Sequence, residues 1–388
     1  MGDTPVVAIQ GPRQCGKTTL ARLVGSSKPY VTLDDSLALD QALRNPKAFL
    51  SAYPDGAILD EVQRAPSLFR SLKADVDKDR RPGKWLVTGS ANVMVLPKLS
   101  ESLAGRMEVV SLWPLAAQEI SGGSNFVDQL FSADRGFEPN SFNWDSLLKG
   151  GFPEPLHRAS EHRRRAWFEA YLKALIERDI RDIADIEGLA ALPRLLRRLA
   201  GEVGDTLNLS SASRETGIPH TTLTRYISLL EAVFLLWPVP SWESGLSHRT
   251  IKAARLSFVD SGLHAFLLGL TEARVTAEPE LGWRALLNFA TMELRKQASW
   301  SSVRPGVFHF RSIRRYEVPL LLEAPDGRII GLCVTEESAA SPADFEALRF
   351  LESLAEDRFV FGAVLHLGDE VQVVSDRLGA VPLGSLGG

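Results

Sequence analysis

The sequence predicts an α/β chain: a parallel sheet first, then a helical stretch, then a small α+β region. Three observations predict this. Short apolar runs, "VVAIQ", "YVTLD", "AILDE", "KWLVTGS" and "MEVVSLW", alternate with helical segments through residues 1–120. That is the βαβ rhythm of a sheet covered on both faces. From about residue 156 the apolar spacing turns helical, and from about residue 283 helix and strand alternate again.

The remaining elements follow in order. Residues 121–155 lose the rhythm and read as a connector with a short helix. In "RRAWFEAYLKALIERDIRDI", Trp167, Phe168, Tyr171, Leu172, Leu175 and Ile176 recur at helical spacing. "LNLSSASRETGIPHTTLTRYISLLE" reads as helix, turn at Gly217, helix, within a domain spanning 156–270. "LWPVPSW" and "RLSFVD" read as strands beside it. "AVFLLW", the longest apolar run, suits a buried core helix and is too short to span a bilayer. In the last domain, 280–388, "LGWRALLNFATMELRKQ" is an amphipathic helix. A strand hairpin turning at Asp326–Gly327 follows.

Composition narrows the function classes. The net charge of −4 does not advertise nucleic-acid binding over the whole surface. Two cysteines, Cys15 and Cys333, give no disulfide framework, and a reducing compartment is expected. With no secretory signal and no membrane span in the pattern, the expected location is the cytoplasm.

The chemistry starts at "GPRQCGKTT". Gly11, Gly16, Lys17 and Thr18 fit G-x-x-x-x-G-K-[ST] between a strand and a helix. The glycines let the backbone curl so that the N–H groups of Gly11, Pro12–Cys15 and Gly16 surround phosphate, proline excepted. Pro12, Arg13, Gln14, Cys15 and Thr19 complete the expected ATP contacts. Lys17 would reach the β- and γ-phosphates, and the Thr18 hydroxyl would ligate Mg²⁺. Cys15 reads as a filler of the loop rather than a reactive thiol.

A carboxylate pair completes the pattern. "AILDE" ends in Asp60, expected to hold Mg²⁺ through its water shell, and Glu61, expected to activate the attacking water. Ser90 and Asn92 follow the strand "KWLVTGS" and are candidates for contact with the γ-phosphate or the lytic water. Arg106, in "ESLAGRMEV", is a candidate for stabilising the transferring phosphoryl group, in cis or from a neighbouring subunit.

"GPRQCGKTTLARL", "ILDEVQRAPSLFRSLKADVD", "WLVTGSANVMVLPKLSESLAGR", "LWPLAAQEI", "GGFPEP", "AWFEAYLKALIERDI" and "LSFVDSGL" occur in this order over nearly the whole chain. Together they resemble a family of prokaryotic AAA-type ATPases with a P-loop core, a winged-helix region and a C-terminal domain. The resemblance implies an AAA-like sheet, Ser90 at a sensor position, and motif arginines at Arg106 and at Arg178 of "ERD". Its C-terminal part resembles PD-(D/E)xK nucleases. The positions expected to carry that chemistry here are Pro319, Cys333 and Thr335, which supply neither Mg²⁺ ligands nor a lysine charge. Glu317, Glu336 and Glu337 lie nearby.

These readings predict a Mg²⁺-dependent ATPase whose cycle moves a winged-helix domain and a degenerate, inactive nuclease-like domain. The alternatives are a nucleotide-switched DNA-binding regulator and an ATP-gated nuclease. DNA would meet His220, Thr221, Thr222, Thr224, Arg225 and Ser228, with Arg214, Arg249, Lys252 and Arg255 contributing phosphate contacts. A homo-oligomer and a further protein partner are open expectations, and no membrane is expected.

Overall fold

A computed structural model of the chain describes residues 2–90, 103, 105–133, 135–183, 189–243, 254–313 and 316–387. The fold divides into two compact units: Met1–Pro114 with Ser228–Leu235, and Leu115–Ile227 with Leu236–Gly388.

The first unit is built on β1 (Val6–Gln10), β2 (Tyr30–Thr32), β3 (Ile58–Asp60), β4 (Trp85–Gly89) and β5 (Met107–Ser111). They form one sheet in the order β2-β3-β4-β1-β5, with every pairing parallel. The five runs predicted as strands are these five strands. β1 and β4 are buried at every position, as central strands covered on both faces must be. β5 is one edge strand and alternates between half-buried and exposed residues.

Helices α1 (Lys17–Val24), α2 (Ser36–Arg44), α3 (Pro46–Ser51) and α4 (Leu68–Lys78) flank the sheet. Asp35 and Asn45 cap α2 and α3 by accepting the N–H groups of Ala38 and Ala48. α4 turns Leu68, Phe69, Leu72 and Val76 into the core under Trp85 and Leu59. Trp85 is wholly buried, and its indole N–H reaches Asp75 at 2.8 Å.

The second unit begins with α5 (Ala117–Ser121), α6 (Phe126–Phe131), α7 (Trp144–Lys149) and α8 (Pro153–Leu156). Residues 121–155 are therefore more than a connector with one short helix. Phe126, Val127, Leu130 and Leu147 are fully buried in the same core as Leu286 and Phe289. α9 (Glu161–Ala174) buries Trp167, Phe168, Tyr171 and Leu172 as their spacing predicts. It passes into a π turn over Leu175–Asp179. In "HRRRAW", His162 and Arg163 are exposed, but Arg164 is buried and lies 3.3 Å from Asp145.

α10 (Ile180–Ile183) and α11 (Leu192–Ala200) lead to α12 (Leu209–Thr216) and α13 (His220–Ala232), the predicted helix–turn–helix. Gly217 stops α12 at φ +73°, a conformation glycine adopts without strain. "AVFLLW" is not a helix. α13 ends at Ala232, Phe234 turns the chain at φ +56°, and β6 (Leu236–Val239) begins. β6 pairs antiparallel with β7 (Arg255–Phe258).

After α14 (Ser261–Leu268) and α15 (Glu272–Ala277) comes α16 (Pro279–Trp300). A mixed six-stranded sheet follows, in the order β12-β13-β11-β10-β9-β8. Its strands are β8 (Gly306–Arg311), β9 (Glu317–Glu323), β10 (Ile329–Val334), β11 (Phe359–His366), β12 (Gln372–Ser375) and β13 (Leu378–Pro382). β9 and β10 make the hairpin at Asp326–Gly327. Leu320, Leu322, Ile330 and Leu332 pack with Leu286 and Phe289 of α16. Val318, Leu321 and Ile329 pack with Leu348 and Leu351 of α17 (Glu346–Ala355). The sheet is thus sandwiched between the two helices.

α16 departs from the amphipathic pattern, because its polar residues are buried as well. Asn288 exchanges two hydrogen bonds with the Phe258 backbone, at 2.8 and 3.1 Å. Glu293 and Lys296 pair at 2.8 Å, and Gln297 bonds the backbone of Phe126 and Leu386. Interior polar groups survive when each is paired. Helical periodicity alone cannot tell such a face from a solvated one.

Candidate nucleotide-binding site

The loop leaves β1 at the carboxyl edge of the parallel sheet, where ligands of open α/β sheets bind. Gly11 adopts φ +154°, and a Cβ there would collide with the Leu112 carbonyl. Gly16 sits left-handed at φ +103° with open space beside it, immediately before α1. No side chain caps α1. Its first-turn N–H groups are therefore free of the side-chain partner that would compete with an anion.

Lys17 is buried and donates to the Pro12 carbonyl at 2.7 Å, across the loop it closes. Cys15 is buried with its Sγ 3.2 Å from the Leu112 carbonyl. Burial pushes its thiol up, and the Lys17 charge only partly offsets this, so it is no activated nucleophile. Arg13 is half-buried, and Gln14 in the loop and Thr19 in α1 are exposed.

β3 brings the carboxylates to this loop. The Thr18 hydroxyl lies 3.1 Å from both carboxylate oxygens of Asp60. Asp60 also accepts the Tyr30 hydroxyl at 2.6 Å and the Thr88 hydroxyl. Burial, then the bond to Asp60, pushes the Tyr30 phenol up. The Arg22 guanidinium covers the Tyr30 ring at 3.8 Å from its centroid.

Glu61 follows in the left-handed region, at φ +58° and ψ +44°. Its Oε2 accepts the Ser90 hydroxyl at 3.2 Å and the Gln63 amide. Gln63 also donates to the Ser90 hydroxyl at 2.9 Å. Asp60 at the end of β3, Glu61 just past it and Ser90 just past β4 thus gather at the ends of adjacent strands. Asn92 lies outside the described residues.

Tyr30, Thr88 and Gln63 were not singled out from the sequence. Thr88 and Gln63 stand two residues from Ser90 and Glu61, a spacing that offers a short-range signal. Tyr30 has none, because only the β2–β3 pairing brings it to Asp60.

Arg106 is not brought to this cluster, which corrects its placement beside the phosphate in cis. It precedes β5, whose first residue pairs with Val6, so it stands at the amino edge of the sheet. The length of β1, about 16 Å, separates that edge from the loop. Its guanidinium binds Asp77 at 2.6 Å. Arg178 is exposed in the π turn of the second unit.

The C-terminal sheet does not assemble the nuclease positions. A β-bulge sets Pro319 and Leu320 opposite the single residue His309. Pro319 lines a small space with Leu287 and Thr291 of α16, whereas Cys333 packs on the α17 side. The two face opposite sides of the sheet. Burial pushes the Cys333 thiol up to about 12, with Asp344 and Glu317 adding to it. The Glu317 carboxylate is held by Arg255 at 2.6 Å and Arg311 at 3.6 Å. Among the described residues, no group of three His, Cys, Asp or Glu is placed to hold a metal.

On α13, His220, Thr221, Thr224, Arg225 and Ser228 are exposed and Thr222 is half-buried. Arg214 is exposed on α12. Arg255 is only 3% exposed and bound to Glu317, which removes it from the expected phosphate contacts. Arg249 and Lys252 lie outside the described residues. No described helix is long and apolar enough to cross a membrane.

Residues 3–121 match a family profile described as an AAA domain. Residues 143–274 and 285–386 match two profiles described as domains of unknown function, DUF8612 and DUF4143. An uncharacterized protein of Mycobacterium tuberculosis is 29% identical over 383 residues, covering 97% of this chain and 80% of that protein. An uncharacterized protein of Haemophilus influenzae is 23% identical over 226 residues, covering 55% of this chain and 52% of that protein. A solved signal transduction ATPase with numerous domains, carrying a tetratricopeptide repeat sensor, from Pyrococcus horikoshii is similar at 11% identity. The match covers 76% of this chain and 46% of that one with a TM-score of 0.22, too low to carry an argument. The AAA profile and the parallel five-stranded sheet together support a P-loop ATPase domain of AAA type in the first third of the chain.

Proposed function

We propose that the chain binds ATP with Mg²⁺ at the loop Gly11–Thr19 and hydrolyses it. The observation that carries this reading is the meeting of Thr18 with Asp60, with Glu61 and Ser90 beside them. A hydroxyl and a carboxylate are the hard oxygen donors that Mg²⁺ takes. Thr18 and Asp60 would hold the ion, which would supply charge neutralisation on the phosphate oxygens.

The loop N–H groups and Lys17 bind the phosphates, for which Lys17 exchanges its Pro12 carbonyl for an anion. Glu61 takes the proton of the attacking water, and Ser90 senses the γ-phosphate. Phosphate release in a single turnover tests this. Glu61→Gln is expected to keep ATP bound and stop release; continued release would remove Glu61 as the base.

A second reading has its own support in the exposed polar face of α13, next to the β6–β7 pair. We propose that this helix–turn–helix is a winged-helix module moved by the nucleotide cycle, with DNA as its candidate partner. DNA affinity measured in ATP and in ADP across salt tests it. No binding at low salt removes DNA. For the C-terminal unit we propose a nuclease-like frame without metal-dependent cutting, supported by the opposed Pro319 and Cys333 and by the occupied Glu317.

A further inference from the structure

We propose that Gln63 is a positioning residue for hydrolysis, fixing one oxygen of Glu61 and tying it to Ser90. This inference rests on Glu61 being the base, as proposed above.

The geometry is a closed ring of three side chains. Gln63 Nε2 donates to Glu61 Oε2 and to Ser90 Oγ, and Ser90 Oγ donates to the same Oε2. Each donor is used in one consistent direction. Only the amide nitrogen of Gln63 can face a carboxylate, so the ring also sets which way that amide points. The side chains come from different elements: Glu61 directly follows β3, Gln63 lies in the short 3-10 turn Val62–Arg64, and Ser90 directly follows β4.

The consequence lies in what is left over. Two donors converge on Oε2, while Oε1 of Glu61 has no hydrogen bond among the described residues. A carboxylate pinned at one oxygen presents the other in a fixed direction. That is what a general base needs, since proton abstraction depends on placement before strength. The backbone adds to the constraint. Glu61 is left-handed at φ +58°, a conformation that persists in a non-glycine residue only when its surroundings over-determine it. The Glu61 N–H contacts the Thr88 hydroxyl at 3.4 Å, and Gln63 supplies the side-chain tether. Because Ser90 belongs to the same ring, a contact between Ser90 and a γ-phosphate would be felt at Oε2 through Gln63.

Gln63→Met tests this, because it keeps the volume of a half-buried side chain and removes the donor. The full chain is used, with turnover measured beside binding of a non-hydrolysable ATP analogue. The expected result is a fall in kcat of about ten- to a hundredfold with KM and analogue affinity unchanged. Because the tether acts on placement of the base and not on nucleotide binding, the loss is expected in kcat alone. Wild-type kcat in Gln63→Met overturns the proposal, as does a loss of analogue affinity as large as the fall in kcat, which marks a merely structural residue. A wild-type protein that releases no phosphate overturns the hydrolysis reading and this one together. Active wild type with indifferent Gln63→Met overturns this one alone.

Discussion

Thr18 and Asp60 meet side chain to side chain, the hydroxyl 3.1 Å from both carboxylate oxygens. One residue lies in the first turn of α1 and the other ends β3, 42 positions later. The contact exists because β1 and β3 finish at the same edge of one parallel sheet. Asp60→Asn keeps the shape and removes the charge. We expect Mg²⁺-dependent phosphate release to fall at least about a hundredfold, while ATP binding measured in chelator changes little. Turnover titrated against Mg²⁺ checks this.

Lys17 shows how the loop is held before ligand arrives. Its ammonium donates to the Pro12 carbonyl, so Lys17→Ala removes a loop closure as well as a phosphate contact. ATP affinity is expected to fall at least about tenfold, since a charge-assisted bond to phosphate is lost. Fluorescent-nucleotide titration reads the loss. An unchanged affinity would place the phosphates elsewhere.

The second unit has a buried anchor at Asp260. It accepts the N–H of Gly151 at 2.7 Å and of Leu263 at 2.9 Å, capping α14. Burial pushes its carboxyl up, with the Lys296 charge and the two N–H groups opposing that. Asp260→Ala leaves two N–H groups unpaired in the interior. The expected cost is about 3 kcal/mol, read by urea denaturation with the first unit's nucleotide binding as a folding control.

His264 makes acid sensitivity predictable. Burial holds its imidazole down to about 4, against 6.5 when free, while Nε2 bonds the Ala200 carbonyl. The unfolded chain therefore takes up the proton first as pH falls. Stability from this group is complete above about pH 6.5, declines below it and levels off under about pH 4, losing about 3 kcal/mol. Unfolding free energy against pH, compared with His264→Gln, isolates the slope. Equal slopes would show that His264 does not titrate on unfolding.

Both thiols are predicted to be inert in the folded chain. Burial raises Cys15, and Cys333 stands at about 12. A thiol reagent at pH 8 should find almost no reactive sulfur in the native protein and two after denaturation, because only the thiolate attacks.

Local pattern carried much of the fold and part of the site. Each predicted strand of the first unit formed, since a buried parallel strand is a continuous apolar run between turn residues. Gly217 was legible as a stop, because few residues tolerate its φ. "AVFLLW" was misread as helix, for apolarity without period does not separate a helix end from a strand start. The amphipathic pattern of α16 does not show that its polar residues are buried, since only the partners supplied by Phe126, Phe258 and Leu386 satisfy them indoors.

By itself the sequence determined the phosphate loop, the Asp60–Glu61 pair at a strand end and the order of strands and helices. These depend on neighbours a few residues away, where covalent geometry sets the spacing. Only the tertiary structure decided which distant residues share a sheet edge. It set Tyr30 and Thr88 on Asp60, closed Gln63 and Ser90 around Glu61, and sent Arg106 to the opposite edge. Strand order and register are set by long-range pairing. A residue one strand-length away in sequence can therefore lie at the site or at the far end of the sheet.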